Sequence, residues 1–255
     1  MAMYLAIKEL WRNRGRYFLF SMVIALITTL VLFIAALAGG LATANRQFIE
    51  KLEADLLVFQ ENVDLQATSS RLGSDKLRQI RRVPGVADAG PIGFSTATVV
   101  FPDGAEPIDA SLIGVEPGRP GDPPLLSGPG LQSERDSTVV IDEALSARTG
   151  LQVGDTLWIK TIQGTEEEFY SLQIAGISEE RQYFFQPSLL VPFDTWDRVR
   201  PQAAGSPQSD RISNTIAVRL AGGAPVEQTA AAMSAQVSGI EAADKETAIL
   251  AIPGY

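Results

Sequence analysis

Apolar and polar positions divide the chain into two parts of different texture. From Tyr17 to Asn45 no side chain carries a charge, and the densest apolar stretch covers residues 18–37, FLFSMVIALITTLVLFIAAL. A helix rises ~1.5 Å per residue, so this run crosses a hydrocarbon layer of ~30 Å with helix to spare. The pattern predicts a transmembrane helix over 17–45. Residues 35–44 are rich in Ala, Gly and Thr, which predicts close helix contact rather than lipid exposure. Gly39 and Gly40 are therefore candidates for helix contact and coupling, although small residues that merely pack explain the pair equally well. Upstream, Tyr4, Ile7, Leu10 and Trp11 share one helical face among Lys8, Glu9 and Arg12, as in a short helix over 1–16 lying in the membrane interface. Downstream, Arg46, Phe48, Ile49, Lys51, Leu52 and Glu53 continue the helical pattern, so residues 46–53 read as a stalk. Ala42-Thr43-Ala44 has the form of a signal-peptide cleavage site, but the apolar region of a signal peptide is only ~7–15 residues.

Beyond residue 53 the apolar runs shorten to strand and helix lengths. Residues 55–59 (DLLVF) read as a strand, and Ser74 as the cap of a helix over 75–82 with Leu77 and Ile80 on one face, stopped by Pro84-Gly85 before an extended stretch from Val86. The same grammar returns near the C-terminus. Residues 214–220 (NTIAVRL) read as a strand and Gly222-Gly223 as a turn. Pro225 reads as the first position of a helix with the stripe Val226, Ala230, Met233 and Val237, and Ser238-Gly239 precedes a strand from Ile240. Two strand–helix–strand units side by side predict a split, ferredoxin-like layer over 54–101 and 206–251. Residues 102–205 differ. Strands are expected at 95–101 and 108–115, a proline- and glycine-rich loop or linker at 118–130, and a strand at 138–141. A helix at 143–148, a hairpin of 155–161 and 169–177 about Gln163-Gly164, and a strand at 189–192 before a helix near 194–199 complete the segment. The expected fold class is α+β: one membrane helix, then a two-part α/β lobe holding an inserted, mostly β lobe. Residues 252–255 read as the approach to a second membrane helix.

Charge orients the first helix. Lys8, Arg12, Arg14 and Arg16 against Glu9 give residues 1–16 a net +3, so the rest of a chain with formal charge -9 carries -12. Basic residues ahead of the span favour a cytoplasmic N-terminus and a main domain on the far side of the membrane, with Trp11, Arg12, Arg14 and Arg16 as interface anchors. An acidic body with scattered cations is unsuited to nucleic acid.

The sequence contains no cysteine and no histidine, which excludes thiol nucleophiles, disulfides, Ser-His-Asp chemistry and the usual zinc sites. There is no G-x-x-x-x-G-K-[ST], no G-x-S-x-G and no S-x-x-K, and Gly128-Pro129-Gly130 lacks a third glycine at dinucleotide spacing. Asp142-Glu143, Glu166-Glu167-Glu168 and Glu179-Glu180 are the acidic clusters, and solvated turns and a helix start account for them. No catalytic residue, metal ligand or cofactor is expected. Tyr183-Phe184-Phe185 sits in a polar segment and is either a contact patch or ordinary core.

The opening LAIKELWRNRGRYFLF, the Val83-Pro84-Gly85-Val86 step, VVIDEALSARTGLQVGD from Val139 and Ile174-Ala175-Gly176-Ile177 occur in the order found in permeases of MacB/FtsX-type ABC exporters. The chain resembles that family over nearly its whole length, and residues 3–55, with GLATANRQFIEKLEADLLVF from Gly40, are similar to the heme-exporter, HrtB-like branch. The resemblance implies an outer domain with a porter-like α/β part and an inserted β lobe. It implies pairing with a second permease copy, a separate ABC ATPase subunit and in some members a periplasmic adaptor. It also implies three further membrane helices, whereas this sequence stops at Tyr255 about where the second is expected. Within the family the implied role is export of an amphiphile such as heme, a lipid, a peptide or a drug. The alternatives are an FtsX-like regulator whose outer domain binds a cell-wall hydrolase, or a single-pass anchored binding module.

Overall fold

The computed structural model describes residues 13–179, 186–203 and 211–251, and for residues 38–45 and 47 the backbone alone. Helix α1 (Arg14–Glu50) is one unbroken helix. Its segment Arg14–Leu37 is long and apolar enough to span a bilayer, and its side chains are exposed throughout. The hydroxyl of Thr28 donates to the Ile24 carbonyl at 2.9 Å, the internal satisfaction that a lipid-facing hydroxyl requires. Arg14 and Arg16 occupy the exposed first turn, whereas Trp11, Arg12 and most of the expected interfacial helix lie outside the described residues. The chain divides into two units inside α1, after Ala42.

The second unit contains, in chain order, β1 (Leu56–Gln60), β2 (Leu72–Gly73), α2 (Ser74–Ile80), β3 (Val86–Val100), β4 (Ile108–Val115), β5 (Leu125–Ser127), β6 (Thr138–Asp142) and α3 (Glu143–Thr149). There follow β7 (Thr156–Gln163), β8 (Glu166–Ser178), β9 (Ser188–Pro192), α4 (Phe193–Val199), β10 (Ile212–Ser213), β11 (Thr215–Leu220), α5 (Val226–Gln236), β12 (Ile240–Asp244) and α6 (Lys245–Leu250).

The two expected strand–helix–strand units are β1–α2–β3 and β11–α5–β12. They interleave in the order β12–β1–β11–β3, every pair antiparallel, which is the ferredoxin-like arrangement. β1 is an apolar run because both its faces are covered. Leu56 and Val58 pack with Leu77 and Ile80 of α2 and Met233 of α5, while Leu57 and Phe59 face a second cluster. Two local details depart from the sequence reading. Gly73, not Ser74, is the N-cap of α2, and Ser74 is its first residue. Pro225 sits at the N-cap of α5, where its carbonyl accepts the Thr229 amide at 2.9 Å. α5 accordingly buries Thr229 and Met233, with Ala230 half-buried and Val237 buried at its C-cap, whereas Val226 is exposed.

The second lobe is a closed ring of strands, β3–β4–β9–β6–β8–β7 and back to β3. Its interior is a single apolar cluster that includes Val99, Leu112, Ile141, Leu157, Ile159, Leu172, Ile174 and Leu189, with Phe193 and Trp196 of α4. β3 belongs to both lobes. Its residues 86–92 pair with β11, residues 92–99 with β4 and residues 98–100 with β7. The passage between lobes therefore falls inside one strand rather than after residue 101.

Three further expectations are corrected. The stretch 118–130 is not all linker: β5 pairs with the end of β8. Glu166, Glu167 and Glu168 open β8 instead of forming a turn, and the hairpin bend rests on Gly164 at φ +65°. Asp142 starts α3 as expected but is fully buried rather than solvated, accepting from the Leu145 amide at 2.8 Å and the Ser188 amide at 2.7 Å.

Candidate functional site

The second unit carries a built junction where the last turns of α1 enter its core. Phe48 is 4% and Leu52 2% exposed. Phe48 lies in the last turn of α1 and Leu52 in the turn just beyond its end, and both are buried in the same cluster. The Phe48 ring meets Phe94 of β3 edge-on, with centroids 5.4 Å apart. The cluster around them draws Leu57, Phe59 and Ala217 from the ferredoxin-like sheet and Ile113, Val115, Val140 and Leu190 from the ring of strands. Burying a side chain of this size stabilises by roughly 1.5–3 kcal/mol, so the end of the helix is held mainly by apolar packing against both lobes.

Polar contacts close the seat. The Lys245 ammonium donates to the Glu50 carbonyl at 3.2 Å, a cation at the C-terminal end of the α1 dipole. Leu52 donates its amide to the Ile49 carbonyl at 3.2 Å, tightening the final turn. Asp55 fixes the exit, its amide donating to the Val218 carbonyl at 2.8 Å and its carboxylate accepting the Leu220 amide at 2.7 Å. Arg46–Glu50 at 2.6 Å, Lys51–Glu179 at 3.8 Å and Arg219–Glu53 at 3.7 Å are exposed pairs and contribute little individually.

Beside this seat the lobes are linked by charge. Glu116, just after β4 and 6% exposed, pairs with Arg81 after α2 and lies 3.9 Å from Arg211, which also reaches Asp194 at 2.9 Å and Glu134 at 3.1 Å. Arg81 donates through two nitrogens to the Ala89 carbonyl, at 2.9 and 2.6 Å. Asn214 accepts the Phe94 amide at 2.7 Å and donates to the carbonyls of Ala67 and Ser70, fastening β3 at the crossing point.

The residues singled out in the sequence fare unequally. Gly39 and Gly40 lie within the helical backbone of α1, where no side-chain environment is described. Tyr183, Phe184 and Phe185 lie outside the described residues. Phe48 and Leu52 were legible only as part of the stalk's helical pattern; their spacing was the available signal for a buried face. Among the described residues no group of three or more Asp or Glu side chains is arranged to hold a metal ion. The Tyr170 phenol is pushed up to about 12, first by burial and then by its hydrogen bond to the Glu168 carboxylate at 2.6 Å, so it stays protonated at neutral pH.

Comparison with known proteins fits this architecture. Residues 17–236 match the family described as the MacB-like periplasmic core domain. The "Putative hemin transport system permease protein HrtB" of Staphylococcus haemolyticus is 27% identical over 211 residues, which is 83% of this chain and 56% of that protein. This chain thus spans a little over half the length of the curated relative it matches. The extracellular domain of the noncanonic ABC-type transporter YknZ from Gram-positive bacteria superposes with a TM-score of 0.52 at 12% identity, over 75% of this chain and 99% of that one. The periplasmic region of MacB from Actinobacillus actinomycetemcomitans does so with a TM-score of 0.54 at 13% identity, over 78% and 92%. At such identities the superpositions speak for the fold alone, and the family match carries the membership. The chain belongs to the MacB-like periplasmic core domain family.

Proposed function

We propose that this chain is the N-terminal part of an ABC exporter permease and that it carries motion from the membrane to the sheet domain. In this reading the N-terminus is cytoplasmic, the sheet domain lies outside, and a separate ATPase subunit supplies the energy to a pair of permease copies. The observation that carries it is the seat of α1: the helix with the membrane-length apolar segment also holds Phe48, which, with Leu52 in the turn just after it, is buried in a cluster shared by both lobes. A displacement of that end of the helix is felt by β1, β3, β4, β6 and β9 together, because a packed apolar cluster transmits strain. The basic cluster of residues 1–16 supports the orientation. An amphiphile drawn from the membrane is the substrate class, and the relative named as a hemin transport permease supports hemin as its first candidate. With no histidine or cysteine in the chain, any iron ligand here would be Tyr, Met or Glu.

The test is ATP turnover by the reconstituted permease–ATPase complex, comparing the parent with Gly39→Leu/Gly40→Leu. Bulky side chains block close helix approach, so turnover should fall several-fold while the complex still assembles. Unchanged turnover and unchanged substrate release would remove the coupling role from these positions.

A further inference from the structure

Residues 61–67, ENVDLQA, leave β1 through a turn that their sequence does not favour. Among the described residues the only non-glycine positions with left-handed backbone are Asn62, Asp64 and Leu65, at φ +64°, +51° and +56°. The Gln66 amide donates to the Val63 carbonyl at 3.0 Å, closing a four-residue turn with Asp64 and Leu65 at its centre. Two positive φ values at the centre mark a type I′ turn, whose usual central pair is Asn-Gly or Asp-Gly. Asn and Asp visit the left-handed region readily; leucine does not, because its Cβ crowds the following carbonyl oxygen. Leu65 stands where glycine is expected.

Packing holds it there. Leu65 is half-buried and lies, with Val63 and Ala67, against the cluster that seats Phe48 and Leu52. Ala248 of α6 belongs to the same cluster. The ends of the segment are tied elsewhere. The Glu61 amide donates to the Gly239 carbonyl at 3.1 Å, and Asn214 Nδ2 donates to the carbonyls of Ala67 and Ser70 at 3.1 and 3.3 Å. A rearrangement that keeps these ties is confined to residues 62–66. Asn62, Asp64 and Leu65 also border a hollow of about 820 Å³, whose rim includes Glu241 and Ala251.

We propose that residues 62–66 form a sprung latch on the seat of α1: the turn stays closed while Leu65 is packed against the seat and opens when that packing loosens. Left-handed leucine disfavours the closed turn roughly tenfold, and burial of its side chain offsets this. Loosening the seat removes the offset and leaves the strain, so the turn opens. A shift at the end of α1 thereby becomes a change in the rim of the hollow, beside Ala251 at the C-cap of α6. The latch deepens the proposed transmission of motion and rests on that reading. Opening of the turn is read without ATP or transport, so failure here leaves the turnover test of that reading untouched.

Hydrogen exchange of the Gln66 amide is followed by mass spectrometry on the full chain in phosphatidylcholine nanodiscs. Phe48→Leu, which thins the seat, should speed that exchange several-fold while the amides of the β7–β8 hairpin keep their rates. Ile159→Val, a loss in the interior of the ring of strands, should leave Gln66 unchanged. Leu65→Ala and Leu65→Gly both remove the packing, but only glycine also removes the strain. Gln66 should therefore exchange several-fold faster in the alanine variant than in the glycine variant. Equal rates in those two, or Gln66 exchange that in Phe48→Leu is unchanged or rises only in step with the hairpin, would overturn the proposal. Leu52→Val takes the place of Phe48→Leu if that variant fails to fold.

Discussion

At the scale of single residues, shape at the lobe crossing is set by what is missing from glycine. Gly114 faces the Cβ and Cγ of Trp196, and a methyl group placed there would lie 2.5 Å away. Gly114→Ala should therefore lower stability by about 1–3 kcal/mol through overpacking, read as a lower denaturation midpoint. Gly93→Ala meets the outer indole atoms Cη2 and Cζ2 instead, so Trp196→Phe should relieve part of its loss in the double variant but little of the Gly114→Ala loss, whose contacts Cβ and Cγ phenylalanine keeps. Strictly additive losses at Gly93 and Trp196 would show that the indole is not seated as described. The sequence made the glycines visible but not their partner, because Trp196 lies more than eighty residues downstream of Gly114. Asp142 shows the same limit. Its place at a helix start was legible, but its burial was not, since burial depends on the Ser188 amide arriving from a different strand.

At the scale of elements, the repeated strand–helix–stop–strand grammar was readable because each piece is punctuated locally, by Pro84-Gly85 in one half and Ser238-Gly239 in the other. The double membership of β3 was not readable, because alternation along a strand identifies its faces and says nothing of which strands flank it. The closing helix α6 carried a signal that went unused: Asp244 accepts the Thr247 amide at 2.8 Å as its N-cap. Hydrogen bonds from the Thr247 side chain and backbone hold the Asp244 carboxyl below its usual pKa. A lowered pKa in the folded state means the cap stabilises above the unfolded carboxyl value of ~3.9, and that stability is lost as pH falls through the folded value. Asp244→Asn should thus be less stable than the parent at pH 7, and the two should converge as pH falls through the lowered folded-state value. A gap in denaturation midpoint that stays constant across that range would contradict the assignment.

At the scale of the whole molecule, the long N-terminal apolar helix was evident from periodicity. The depth at which Phe48 and Leu52 sit in the core became evident only with the fold, since a helical stripe continuing past the membrane has the same pattern whether it meets water or a partner surface. In the proposed function one helix links a cytoplasmic N-terminus to a domain outside the cell membrane. Because the chain has no native cysteine, single-cysteine variants report this directly. Ser133 is exposed in the stretch before β6. In intact cells a membrane-impermeant maleimide should label Ser133→Cys and leave Ala2→Cys unlabelled until the cells are lysed; labelling of Ala2→Cys with protection of Ser133→Cys would contradict the account.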